Sequence, residues 1–142
     1  MEEAYINFFT EDVEFEIPKA DKRRQWIDSI IRQHEKEVVE LNYILGSDEY
    51  IHKINLEYLD HDDYTDIITF DNSEEESVIE ADIFISLDRI RENAKKYGVT
   101  FEDELDRVLI HGVLHLLGYG DKTEEDKQEM RQKEDECLSL RI

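Results

Sequence analysis

Cysteine occurs once in this chain of 142 residues, at Cys137. A single thiol excludes an internal disulfide and a cysteine-built zinc knuckle, and it suits a reducing cytoplasm. Proline is just as scarce, with Pro18 alone. No linker-like or repetitive stretch divides the chain, so residues 1–142 are expected to form a single domain. No apolar run approaches the roughly 18–20 residues that span a bilayer. The N-terminal stretch is acidic and lacks the basic-then-apolar order of a secretory signal. A soluble, cytoplasmic protein without a membrane partner is expected. Positive charge is also short: 17 Lys and Arg stand against 38 Asp and Glu, a net charge of -21. Such a field repels polyanions at long range and argues against casual nucleic-acid binding, and no DNA partner is expected. Two local basic runs, Lys19, Lys22, Arg23 and Arg24, then Arg89, Arg91, Lys95 and Lys96, read as solvated helix faces.

What is present argues for a packed core. Apolar residues make up 39% of the chain and aromatics 10%, too many for a disordered segment. Apolar patches between Tyr5 and Phe15 predict an edge strand or two, broken near Glu11 and Asp12. A helix is expected from Asp21, as N-cap, to about Glu37, with Trp26, Ile27, Ile30 and Ile31 inward and His34 half-buried behind them. Val38–Leu45 reads as a strand, and Ser47 or Asp48 caps a helix running to about Leu59. Ile67–Phe70 and Val78–Leu87 flank a short polar turn and predict a hairpin. Asp88–Tyr97 reads as an amphipathic helix ended by Gly98. Thr100 and Asp103 have the spacing of a capping box at the head of a helix from Phe101 to Leu117. That helix is apolar on most sides in its second half and is therefore central. A charged last helix runs to about Leu138. The expected fold is α+β, a small mixed sheet of about four strands with about five helices against it.

The stretch HGVLHLLGYGD, His111 to Asp121, concentrates the chemistry. Four residues turn a helix by about 400°, so His111 and His115 leave one face a turn apart and can reach one ion. Gly118 lets the chain turn, and Asp121 can return as a third ligand. Two histidines and a carboxylate leave a coordination position open, as a catalytic metal requires. Histidines merely packed in a core would each leave ring nitrogens to be satisfied. One Zn2+ is the expected cofactor, although the same ligand set also serves non-haem iron. The spacing resembles the metzincin peptidases, HExxHxxGxxH, at His111, His115, Gly118 and Asp121. Gly112 stands where those enzymes carry the general-base glutamate, which makes a peptidase the weakest of the readings.

Over most of its length the chain resembles the YbeY family of bacterial metal-dependent endoribonucleases. HGVLHLLGYGD is similar to that family's HGxLHLxGYDH. Asn55-Leu56-Glu57-Tyr58 resembles its LNxxYR, Thr65–Phe70 its TDVLSF, Ala81–Ser86 its GDIxIS, and FEDELDRVLIHG its FxxELxxLxxHG. Met130 and Glu134 fall near the family's C-terminal Met and Glu. The resemblance implies a zinc-dependent endoribonuclease acting on single strands in ribosomal RNA maturation. It also implies the small ribosomal subunit as partner, and the acidic surface suits a basic ribosomal protein. His111, His115 and Asp121 would act through the metal. Thr65 and Asp66 would line the cleft, with strand-end capping as the equal alternative.

Three positions depart from the family pattern. Asp121 stands where the third ligand is a histidine; a one-residue gap would instead place Lys122 there, but lysine is a poor ligand. Leu59 replaces an arginine able to hold the scissile phosphate, and Ala81 replaces a glycine. The first two weaken phosphodiester chemistry. They keep open a second function, a ribosome-assembly factor with a structural metal and little or no catalysis.

Overall fold

A computed structural model describes residues 5–141; residues 1–4 and 142 lie outside the described part. Four strands and five helices follow one another along it: β1 (Ile6–Thr10), α1 (Ala20–Gln33), β2 (Glu37–Gly46), α2 (Asp48–Leu59), β3 (Ile67–Asp71), β4 (Val78–Ser86), α3 (Leu87–Tyr97), α4 (Phe101–Leu116) and α5 (Glu124–Ser139). The strands form one sheet in the order β1-β2-β4-β3. β1, β2 and β4 are parallel, and β3 returns antiparallel beside β4 as the expected hairpin. The fold is therefore α+β with a mixed sheet, as the element order predicts. No helix among the described residues is long and apolar enough to cross a membrane.

Alternation along the strands separates two apolar layers, because successive side chains point to opposite faces. Ile79, Ala81, Ile83 and Ile85 of β4 join Leu41, Tyr43 and Leu45 of β2 in the main core, under α1 and α4. Phe84 and Ile68 point the other way, into a smaller cluster with Ile51 and Ile54 of α2. Leu105, Leu109, Ile110, Val113 and Leu114 of α4 have no exposed surface, so α4 is the central helix. The Tyr43 hydroxyl donates to the Leu109 carbonyl at 2.9 Å and fixes β2 against the middle of α4.

Several local expectations change. Val13, Phe15 and Ile17 form no second strand; they pack partly buried on the edge of the core, with Phe15 edge-on to Phe101 at 5.7 Å. Lys19, in the left-handed region at φ 52, precedes α1, and Asp21 lies inside the first turn, where it accepts from Arg24. α1 also stops early, at Gln33, because Glu35 takes a positive φ of 60 and turns the chain into β2. Ser47 and Thr100 accept from the backbone N–H three residues on, so these hydroxyl caps form as expected, and Thr123 caps α5 in the same way. Arg23 is not solvated: it is buried, and its guanidinium binds Asp106 on α4, with Nε to Oδ1 at 2.8 Å. Arg141 also donates to Asp106, at 2.9 Å.

α4 lies very close to the sheet at Gly112. A β-carbon there would stand 2.9 Å from Ile83 Cδ1 and 3.1 Å from Ile67 Cδ1. Gly112→Glu should therefore lose roughly 3 kcal/mol or more of stability, since it forces bulk and an unpaired charge into an apolar contact. Urea unfolding of the variant against wild type measures the loss; an unchanged midpoint would contradict this packing.

Candidate metal centre

The flank of α4 beside Gly112 carries His111 and His115, one turn apart, with their rings at right angles and 4.5 Å between centroids. Each ring is oriented through Nδ1. His115 Nδ1–H donates to the Tyr119 carbonyl at 3.0 Å. His111 Nδ1–H donates to Glu134 Oε2 on α5 at 2.6 Å. Acceptors on both Nδ1 atoms leave both Nε2 atoms as bases, and these face each other at 3.0 Å. Two bare lone pairs at that separation repel, so the position calls for a cation between them.

The end of α4 brings the third candidate ligand. Leu117 is the last residue of helical shape, and Gly118 follows at φ 104. Gly118 N–H bonds the His115 carbonyl, and Tyr119 N–H reaches back to Leu114 at 3.0 Å, the paired bonds of a Schellman turn. The turn presents the Tyr119 carbonyl to His115 and sends the chain back under the two rings. Asp121 Oδ2 then lies 3.4 Å from His115 Nε2 and 3.8 Å from His111 Nε2. Lys122, the alternative by a shifted alignment, is exposed and takes no part.

These separations fit a metal ion. Ligand atoms about 2.0–2.1 Å from a tetrahedral zinc stand roughly 3.3–3.4 Å apart. The three atoms here lie within 4.8 Å of one another, the one such group of three among the described residues. His111 and His115 are half-buried and Asp121 is exposed, so the carboxylate sits at the mouth of the site.

α5 supplies the outer support. Glu134 is buried, and its second oxygen takes a hydrogen bond from Arg107 Nη1 at 2.8 Å, while Arg107 Nη2 holds Asp135 at 2.7 Å. Burial of His111 opposes its protonation, but the Glu134 hydrogen bond and the charges of Glu134, Asp66 and Asp121 outweigh it. The imidazole holds a proton more tightly than usual. Surroundings that attract a proton to these nitrogens also attract a metal cation. Glu104, two turns upstream on α4, is buried as well, and burial is the main cause that pushes its carboxyl up.

The other residues singled out by sequence divide. Asp66 is close enough to His111 to act on its charge, and its carbonyl accepts from Ser86 N–H at 2.9 Å. Thr65 donates to the Ile67 carbonyl at 3.3 Å, a bond that caps the start of β3. Asn55 is buried and donates to the Asp63 carbonyl at 2.9 Å, holding the loop before β3. Leu59 is exposed at the last turn of α2. His34 lies half-buried and contacts the Tyr119 hydroxyl at 3.3 Å. Glu134 as the support of His111 did not follow from motif spacing. Its signal is on α5, where it interrupts the buried stripe of Met130 and Cys137, a poor place for a carboxylate without a partner.

Comparison with known proteins matches residues 6–140 to the family described as Endoribonuclease YbeY. The Endoribonuclease YbeY of Cytophaga hutchinsonii is 52% identical over 141 residues, covering 99% of this chain and 99% of that protein. That of Christiangramia forsetii is 46% identical, covering 99% and 96%. A Thermotoga maritima protein of known solution structure superposes with a TM-score of 0.66 at 28% identity, over 94% of this chain and 87% of that one.

A partner that fixes the tautomer of a metal-binding histidine typically contributes about 10–100-fold to affinity. Glu134→Gln should weaken metal binding by that factor, measured by competition with a chromophoric chelator. Equal affinities would show that Glu134 plays no part in holding the ion.

Proposed function

The chain belongs to the endoribonuclease YbeY family, and from that membership we propose that it hydrolyses phosphodiester bonds of single-stranded RNA with one zinc ion held by His111, His115 and Asp121. The observation that carries the reading is the convergence of two Nε2 atoms, both freed by acceptors on Nδ1, with one carboxylate oxygen. When bound, the ion supplies Lewis acidity and lowers the pKa of a water in its open position.

The chain's own residues contribute orientation and charge. Glu134 and the Tyr119 carbonyl fix the two imidazoles, so they need not reorganise around the ion. Arg107 offsets the charge of Glu134. Asp121 removes one unit of positive charge from the site that a neutral third ligand would leave. Leu59 offers no cation for the phosphate. A peptidase has no support here, because a side chain at position 112 would be directed into Ile83 and Ile67 rather than toward the ion.

The substrate we propose is ribosomal RNA, with the small ribosomal subunit as the setting and the cytoplasm as the compartment. A net charge of -21 favours a basic ribosomal protein as a contact. Leu59 and Asp121 also favour a second reading, in which the metal is structural and the protein assists ribosome assembly by binding.

Metal analysis with turnover on a single-stranded RNA, before and after chelation, separates the two. His115→Ala should lose bound metal and cleavage together, and restoring zinc to the chelated wild type should restore cleavage. Metal-dependent cleavage by His115→Ala would refute the site. Leu59→Arg should raise turnover if the site is competent and short only of a phosphate clamp; no cleavage by either protein would favour the binding role.

A further inference from the structure

Between Leu117, where α4 closes, and Asp121, only Tyr119 has a side chain larger than hydrogen, because Gly118 and Gly120 flank it. Gly118 takes φ 104, and a glycine on either side leaves the backbone a wide choice of shapes. The Tyr119 main chain serves the site directly. Its N–H reaches the Leu114 carbonyl at 3.0 Å, and its carbonyl accepts from His115 Nδ1 at 3.0 Å. Two residues on, Asp121 Oδ2 stands 3.4 Å from His115 Nε2. Any swing of Tyr119 therefore moves an orienting acceptor and a candidate ligand together.

The ring of Tyr119 is held from two helices. It lies half-buried against the main core. His34, which closes α1, meets it edge-on, with 5.9 Å between ring centroids and 89° between planes. His34 Nδ1–H donates to the Ile30 carbonyl at 2.9 Å, one turn back on α1. That bond leaves Nε2 as the bare nitrogen, and the Tyr119 hydroxyl donates to it at 3.3 Å. From α5, Lys133 Nζ stands 5.8 Å from the ring centre, within cation–π range. The next residue on α5 is Glu134, which holds His111. The lone histidine on the apolar stripe of α1 thus has its partner in the turn beside the metal site, 85 residues away.

We infer that His34 and the Tyr119 side chain are positioning residues for the metal: together they brace the turn after α4 and so set how tightly the ion is held. The inference rests on the metal reading above, not on RNA cleavage, and reaches beyond the ligands and the acceptors that touch them. Its physical ground is preorganisation. A turn with two glycines that wanders in the free protein has to be ordered by the ion, and the cost of ordering is subtracted from the binding energy. A turn pinned through its one large side chain has met that cost on folding. A contact that mattered only to the fold would stabilise the free and metal-bound forms alike and leave affinity unchanged. A brace acts on the difference between the two forms.

The test uses the full chain and zinc alone, with affinity read by competition against a chromophoric chelator. Tyr119→Phe keeps the ring and loses the hydroxyl, and should weaken zinc binding about fivefold, the usual effect of one hydrogen bond. His34→Leu should weaken it by the same factor, and the double variant by no more than either alone, since both changes remove one bond. His34→Gln, whose side-chain carbonyl can accept from the hydroxyl, should keep most of the wild-type affinity. Urea unfolding supplies a second readout. Tyr119→Phe should lose more stability in excess zinc than in excess chelator, because a weaker ion stabilises the folded state less. Equal zinc affinities in wild type, Tyr119→Phe and His34→Leu would overturn the brace and leave the metal site standing. So would losses of stability that are the same with and without zinc, or losses of affinity that add in the double variant. No zinc bound by wild type would remove the metal reading and the brace with it.

Discussion

At Gly112 the backbone of α4 approaches β3 and β4 so closely that a single added carbon would stand 2.9 Å from Ile83 Cδ1. That contact sets the rotation of the helix about its own axis. With position 112 turned to the sheet, residues 111 and 115 fall on the adjoining flank, where α5 and the turn after α4 can reach them. A bulkier residue would lift or rotate the helix, and the two imidazoles would lose the acceptors that now orient them. The glycine that is unfavourable in a helix interior by about 1 kcal/mol relative to alanine is what allows helix, sheet and site to coexist.

The polar shell follows from this placement. A histidine at the edge of a core needs a partner for each ring nitrogen. One nitrogen of each ring is served by protein, Glu134 for His111 and the Tyr119 carbonyl for His115. Glu134 is itself buried and must be balanced, which explains Arg107 and its two carboxylate partners. On the far flank of α4 the buried Arg23 and Asp106 pair joins α1 to the same helix. Such pairs add little net stability, but breaking one is costly, so they penalise wrong packings of α1 on α4. The central helix is held by apolar contact on the sheet side and by charged contacts on both flanks.

Much of this was legible in the sequence where a local rule acts alone. The apolar run from Val108 to Leu117 marked the central helix, Thr100 marked its start and Gly118 its end. The hairpin was legible from two strand patterns around a polar turn. His111 and His115 were legible because helical geometry fixes their relation without reference to the rest of the fold. Asp121 was legible only as a candidate, because its reach to the two rings depends on the turn at Gly118, which residue spacing does not specify. Reading failed where partners are distant in sequence. Arg23 looked like one cation in a solvated run, since nothing within α1 announces Asp106, 83 residues away. Alternation at Val13, Phe15 and Ile17 has the period of a strand, but β1 stands at the sheet edge, and among the described residues no strand pairs beyond it. The parallel order of β1, β2 and β4 is likewise a property of crossovers that residue patterns do not specify.

The charge balance bears on how such a site would gain its substrate. A divalent ion held by two neutral imidazoles and one carboxylate would carry a formal charge of about +1. Asp66 stands close enough to reduce its effect further. The positive groups near the cleft are mostly committed: Arg107 to Glu134 and Asp135, Arg89 to Asp48. A protein of net charge -21 in this state cannot rely on the counterion release that drives most nucleic-acid binding. Two sources of affinity remain, direct contact of a phosphoryl oxygen with the ion and contact with uncharged parts of the nucleotide. The first positions the scissile group but cannot hold a long polyanion against the field around it. Uncharged contacts must then carry most of the binding.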